Sequence, residues 1–218
     1  MIRFFVLIWC LLLFSACSTT TPKNAWQIQS ANAYESHQKY FLQDEDALAR
    51  TDLKRAIKYA KQSSDMDTLA TIYLSECALH VSILEEDKCK DYMEIEPLIS
   101  DVKLHSYYLF LQNNYSTEEI KNLPYKYQNF AALRLKNDFN AAQKEILNTE
   151  DILSKMIMAS LIKNSLDSST IKMLIDEASL YGYKKNILNW MQFYETKITD
   201  EKEKTILKEK LKILKDSK

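Results

Sequence analysis

Cys77 and Cys89 are the residues whose type and spacing most invite chemistry. Cys77 falls near the end of an apolar helical stripe, and Cys89 stands just past the polar turn Glu85-Glu86-Asp87-Lys88. In an oxidising compartment an even pair of this kind predicts a disulfide that clamps the two sides of a hairpin; the alternative is two buried free thiols. Over so short an interval a bridge contributes on the order of 2–3 kcal/mol by restricting the unfolded chain. Cys77-x-x-His80, with Cys89 and His105, can be drawn as a four-ligand metal site, but the spacings match no zinc module. His37, His80 and His105 therefore read as packed or exposed single residues. No serine lies in a glycine-flanked elbow, and the pairs Glu85-Glu86 and Glu118-Glu119 read as solvated capping charges, since adjacent residues on a helix point apart. The expectation is a protein without catalytic residues, metal or cofactor.

The compartment is read from the start of the chain, MIRFFVLIWCLLLFSAC. Arg3 supplies a positive n-region, Phe4 to Phe14 an uninterrupted apolar run, and Ser15-Ala16 small side chains before Cys17. The apolar run is shorter than the roughly 20 residues a spanning helix needs, so residues 1–16 read as a removable export signal. Phe14-Ser15-Ala16-Cys17 resembles the lipobox of bacterial lipoprotein signals, although Phe14 replaces the commonest leucine. The resemblance covers only the signal. It implies cleavage before Cys17, a diacylglycerol on its sulfur and acylation of the new amine. Two or more acyl chains give stable anchoring where one is marginal. Ser18, where an aspartate would imply inner-membrane retention, implies the periplasmic face of the outer membrane. Residues 17–24 then form the lipidated cysteine and a polar tether containing Pro22, which spans at most about 25 Å.

Composition sets the fold class. The 218 residues carry 29 Lys and Arg against 30 Asp and Glu, so no basic excess points to nucleic acid. One glycine and three prolines nearly exclude a β-sandwich or barrel, and a glycine-rich phosphate loop outright. Apolar residues instead recur at helical spacing: Ala49, Leu53, Ala56, Ile57 and Ala60 in 46–63, and Leu69, Tyr73 and Cys77 beside Ala70, Leu74, Ala78 and Val81 in 66–84. The segment 98–112 follows, then a Ser116 to Glu119 capping box. Helices over 126–136, 138–148 and 150–163 come next, the last capped by Thr149. Ile171, Leu174, Ile175, Ala178 and Tyr181 form the cleanest stripe, with Gly182 in place to end it. A helix over 183–197 carries Trp190, and Thr199 caps a final helix facing inward through Leu207, Leu211 and Leu214.

Roughly nine or ten helices with short connectors predict one all-α domain over 25–218, built of stacked antiparallel hairpins. Ala56 to Leu79 resembles the helix–turn–helix junction of tetratricopeptide-type repeats. Ala56, Ala60, Ala70 and Ala78 would allow close approach, and Tyr59 and Tyr73 would fill the gaps. The resemblance covers about one repeat, and neither a strict 34-residue period nor the family's glycine and proline is present. It implies a tetratricopeptide-like α-solenoid; an irregular helical bundle is the alternative.

Two surface features complete the reading. Trp26 stands beside the tether, within reach of a membrane interface. Lys204, Lys208, Lys212 and Lys215 form a basic face on the last helix, a solvated face or a contact for anionic headgroups. The function expected is a lipid-anchored envelope scaffold that binds a protein partner. A murein-processing enzyme and a structural envelope lipoprotein are the competing readings.

Overall fold

The computed structural model describes residues 24–216, all helix and connector. Twelve α-helices occur among the described residues, more than the nine or ten expected. The first hairpin pairs α1 (Ala25–Leu42) with α2 (Asp46–Ala60) along their lengths. Two side-chain bonds fix it as antiparallel: Ser30 Oγ donates to the Ala56 carbonyl at 2.8 Å, and His37 Nδ1 meets the Ala49 carbonyl at 2.8 Å. Helix α3 (Met66–Ser82) is the centre of the fold. It packs on α1 and α2, on the short α4 (Lys90–Ile95), on α5 (Val102–Leu111) and on α9 (Ile152–Leu161). Between these run α6 (Thr117–Ile120), α7 (Tyr125–Leu135) and α8 (Phe139–Asn148). The chain closes with α10 (Ser168–Leu180), α11 (Lys184–Glu195) and α12 (Glu201–Asp216).

Hairpins are the building unit, α1–α2 and α10–α11 above all. Repeat arrays join each unit only to its neighbours. Here α3 also meets α9, and α11 returns to the first hairpin, packing on α1 and placing Lys185 Nζ 2.5 Å from Asp46 at the start of α2. These two contacts fold the row of hairpins back on itself and give it the closed character of a bundle. At the junction of α2 and α3, Ala56, Ala60, Ala70 and Ala78 are all buried, with Tyr59 and Tyr73 packed against them.

Helix ends follow a common local chemistry. Asp65, Asp101, Asp138, Asp151 and Asp167 each accept a backbone N–H from the first turn of the helix that follows. Ser116 and Glu119 form a complete capping box. Two expected caps move: Asp151, not Thr149, caps α9, and Asp200, not Thr199, receives Glu203 N–H at 2.7 Å. Thr149 instead bonds back to the Glu145 carbonyl, closing α8.

At the C-terminal ends a left-handed residue turns the chain out. Gly182 does this at φ 67°, the position it was expected to hold. Elsewhere the same turn is made without glycine, by Asp44, Leu84, Asn113 and Asn137. Each is followed by a residue whose N–H reaches back to close the last turn, as Glu85 does to His80 and Asp138 to Leu133. Asparagine and aspartate tolerate this conformation, so a chain with one glycine still builds sharp hairpins.

The core holds Tyr92, Phe110, Tyr127, Phe130 and Trp190, all fully buried. Among the described residues no helix is long and apolar enough to cross a membrane.

Candidate functional site

Helix α3 carries the densest polar arrangement. His37 of α1 faces it, with Nδ1 on the Ala49 carbonyl and Nε2 on a Glu76 carboxylate oxygen. A carbonyl only accepts, so the hydrogen of that bond sits on Nδ1. Glu76 also meets His80 Nε2 at 3.3 Å, and His80 Nδ1 lies 2.5 Å from Glu85. The result is a chain of alternating base and acid, His37–Glu76–His80–Glu85, between α1, α3 and the turn after it.

Burial opposes charge on Glu76, but hydrogen bonds from His37 and His80 outweigh it and hold the carboxyl at about 2. Burial likewise opposes charge on His80, and its bonds to Glu76 and Glu85 overcome that, raising it to about 9. Phe41 covers the chain with its ring at 5.1 Å from His80. The buried His37–Glu76 end of this cluster holds α1 against α3. It corrects the reading of the histidines as isolated, because His105 too has a partner, Glu96, at 2.6 Å. The spacing Glu76-x-x-x-His80 was the available signal, an acid four residues before a base on one helix face.

Cys77 and Cys89 are joined in a disulfide, with Cα atoms 5.2 Å apart, inside the range such a bond spans. Both are buried. Cys89 adopts φ 50°, its N–H is held by Asp87 Oδ1 at 2.7 Å, and Gln112, just past the end of α5, donates to the Asp87 carbonyl at 2.8 Å. The bridge thus ties the end of α3 to the start of α4 and seats α5 on the turn. Reduction, or Cys77→Ser with Cys89→Ser, is expected to cost about 3 kcal/mol. At about 2–4 °C per kcal/mol for a chain of this size, melting should fall by roughly 6–12 °C. Circular dichroism melts with and without reductant measure it; coincident curves would remove the bridge from the stability of the fold. The four residues drawn as a metal site are divided: the sulfurs are bonded to each other, His80 lies with Glu76 and Glu85, and His105 lies with Glu96.

An apolar opening lies among the last three helices. Helices α10, α11 and α12 enclose a groove of about 480 Å³ lined by Ile175, Ile187, Met191, Ile206, Ile213 and Leu214. Ile206 is 46% and Ile213 70% exposed, two turns apart on α12. Lys172 of α10 bridges the rim to Glu203 of α12 at 2.6 Å, and Asp176 and Lys210 add one charge of each sign. Leu207 and Leu211 anchor α12 to the core, with Leu214 packed against it. Lys208, Lys212 and Lys215 are exposed and Lys204 is half-buried, so the basic face turns away from the groove.

Trp26 is half-buried on α1. Cys17, with the whole signal and tether before Asn24, lies outside the described residues. No protein family, curated protein or solved structure matches the chain.

Proposed function

We propose that this chain is a lipid-anchored cell-envelope protein that acts as a non-enzymatic helical scaffold for a protein partner, on the periplasmic face of the outer membrane. The observation that carries the binding role is the open apolar groove on α10–α12. A soluble surface that exposes Ile206 and Ile213 beside a cavity leaves apolar area for a partner to cover. Its dimensions and mixed-charge rim suit one amphipathic helix, whose apolar face would fill the groove while its flanking charges meet Lys172, Asp176 and Lys210. The membrane address rests on Arg3, the apolar run and Ser15-Ala16-Cys17. The apolar character of the α10–α12 groove supports a scaffold over a murein-processing enzyme.

The test has two arms in the native bacterium. Fatty-acid probe labelling should be lost in Cys17→Ser, and equal labelling would overturn the anchor. A photo-crosslinking residue at Ile213 should capture one protein in stoichiometric yield, and Ile206→Glu should abolish the adduct. The same crosslinker at exposed Tyr125 should not capture it. Identical adducts from both positions, or adducts to lipid alone, would overturn the groove as a protein-binding site.

A further inference from the structure

The chain as a whole is close to neutral, with 29 basic and 30 acidic residues, but one opening in it is not mixed. Between α3, α5 and the connection from α6 to α7 lies a cavity of about 610 Å³. Its lining includes Lys103, Lys121 and Lys126 and not one carboxylate. Lys126 is tied to Asp151, outside the lining, at 3.0 Å. Lys103, at the start of α5, and Lys121, just past α6, are exposed and form no ion pair among the described residues. Lys121 also borders the neighbouring opening that holds Glu118 and Glu119, and it is paired with neither. Two ammoniums on one rim therefore lack a local counter-ion, and the field they set favours an anion over any cation.

The apolar part of the lining decides the body of that anion. Leu104 and Tyr107 of α5 are half-buried and Pro124 is exposed. Tyr125, the first residue of α7, is 91% exposed, more than any other large apolar side chain among the described residues. Tyr107 stacks on the buried Tyr127 with ring centroids 5.7 Å apart, so its own ring is held in place. A fixed ring at Tyr107 and an open one at Tyr125 offer a flat guest faces to stack on, which adds to simple burial. The volume falls within the roughly 300–1,000 Å³ of small-molecule sites, which combine apolar walls with a few polar groups. At about 30 Å³ per water-sized group it holds up to about 20 heavy atoms, enough for a two-ring guest.

We propose that this cavity binds a small aromatic carboxylate, its ring against Tyr107 and Tyr125 and its charge met by the ammoniums of Lys103 and Lys121. The cavity shares no lining residue with the α10–α12 groove, so it stands or falls independently of the scaffold reading.

Calorimetric titration of the full-length protein in non-ionic detergent at low salt tests it, with 2-naphthoate as the probe and detergent alone as the blank. Naphthoate is expected to bind saturably, and 2-naphthylmethylammonium, the same ring with the opposite charge, not to bind. Added salt should weaken the naphthoate, because exposed charges are screened. Lys103→Gln with Lys121→Gln should weaken it about ten-fold, the loss of two exposed charge contacts. Tyr125→Ala should weaken it about five-fold, the loss of one ring contact. All three side chains are exposed, so the melting temperature should not move and a lost affinity is not a lost fold. Ile206→Glu, in the other groove, should leave the affinity unchanged. No saturable binding, equal binding of the ammonium probe, or naphthoate affinity unaltered in either cavity variant overturns the proposal. So does affinity lost in Ile206→Glu, which would seat the guest among the last three helices.

Discussion

Glu76→Ala is expected to destabilise the protein by about 3–5 kcal/mol, the cost of removing one partner from a buried charged cluster. Two imidazoles, those of His37 and His80, lose their common acceptor at once. The pH profile should identify the cause. Glu76 is held at about 2 against an ordinary 4.5, so its contribution is complete above pH 4.5 and is lost as pH falls toward 2. His80 is raised from 6.5 to about 9, so its contribution is complete below pH 6.5 and is lost as pH rises through 9. Both shifts describe one coupled cluster and do not add. Wild-type stability should therefore be highest between pH 4.5 and 6.5 on account of this cluster and decline on either side. The alanine variant should lose the acid limb and keep only the part of the alkaline limb that Glu85 supports. Melting temperatures from pH 3 to pH 10 give the comparison; two parallel curves would mean that the cluster is not what sets the pH dependence.

Trp190→Ala should cost a further class of interaction, about 3–5 kcal/mol from the cavity left by a fully buried indole. The indole also donates its N–H to the Ser82 carbonyl at 2.9 Å, and Asn186 Nδ2 donates to the same oxygen at 3.0 Å. Ser82 is the last residue of α3, so α11 caps the central helix from outside. This sharing separates packing from hydrogen bonding. Trp190→Phe keeps most of the ring volume and leaves Asn186 on the carbonyl, so its cost should be smaller than that of alanine. Asn186→Ala alone leaves the indole in place. The double variant leaves a buried carbonyl bare and should cost more than the two single changes together, by on the order of 1 kcal/mol. Strict additivity in urea unfolding would show that the two donors act independently.

What was legible in the residues was local. One glycine, three prolines and the Ile171–Ala178 stripe were enough for an all-helical fold and for the end of α10 at Gly182, because each depends on neighbours within a few positions. Helix α1 was harder to see, since its buried face is built of Ser30, Ala33 and His37 before Phe41, with no leucine stripe. Helix α4 was hidden because it is short and begins at Cys89 in a left-handed conformation held by the bridge and Asp87. Thr149 and Asp151 both stand before an apolar run, and only the reach of a side chain to Ser154 N–H separates cap from neighbour. Of the functional features, the groove on α10–α12 depends on how three helices splay, and that leaves no periodic trace.

The Ser82 carbonyl sets an order of events for the growing chain. Its two donors lie 104 and 108 residues downstream. At about 5–20 residues per second of synthesis, roughly 5–20 s pass between completion of α3 and arrival of the residues that cap it. Over that interval the central helix also gains its partners α4, α5 and α9, but the carbonyl at its end still lacks both donors. The first hairpin can settle early, while the centre of the molecule stays a docking platform for its own C-terminal third. A chain cut short before α11 would retain that exposed end permanently, so unfinished copies would carry a mark that proteases and chaperones can recognise.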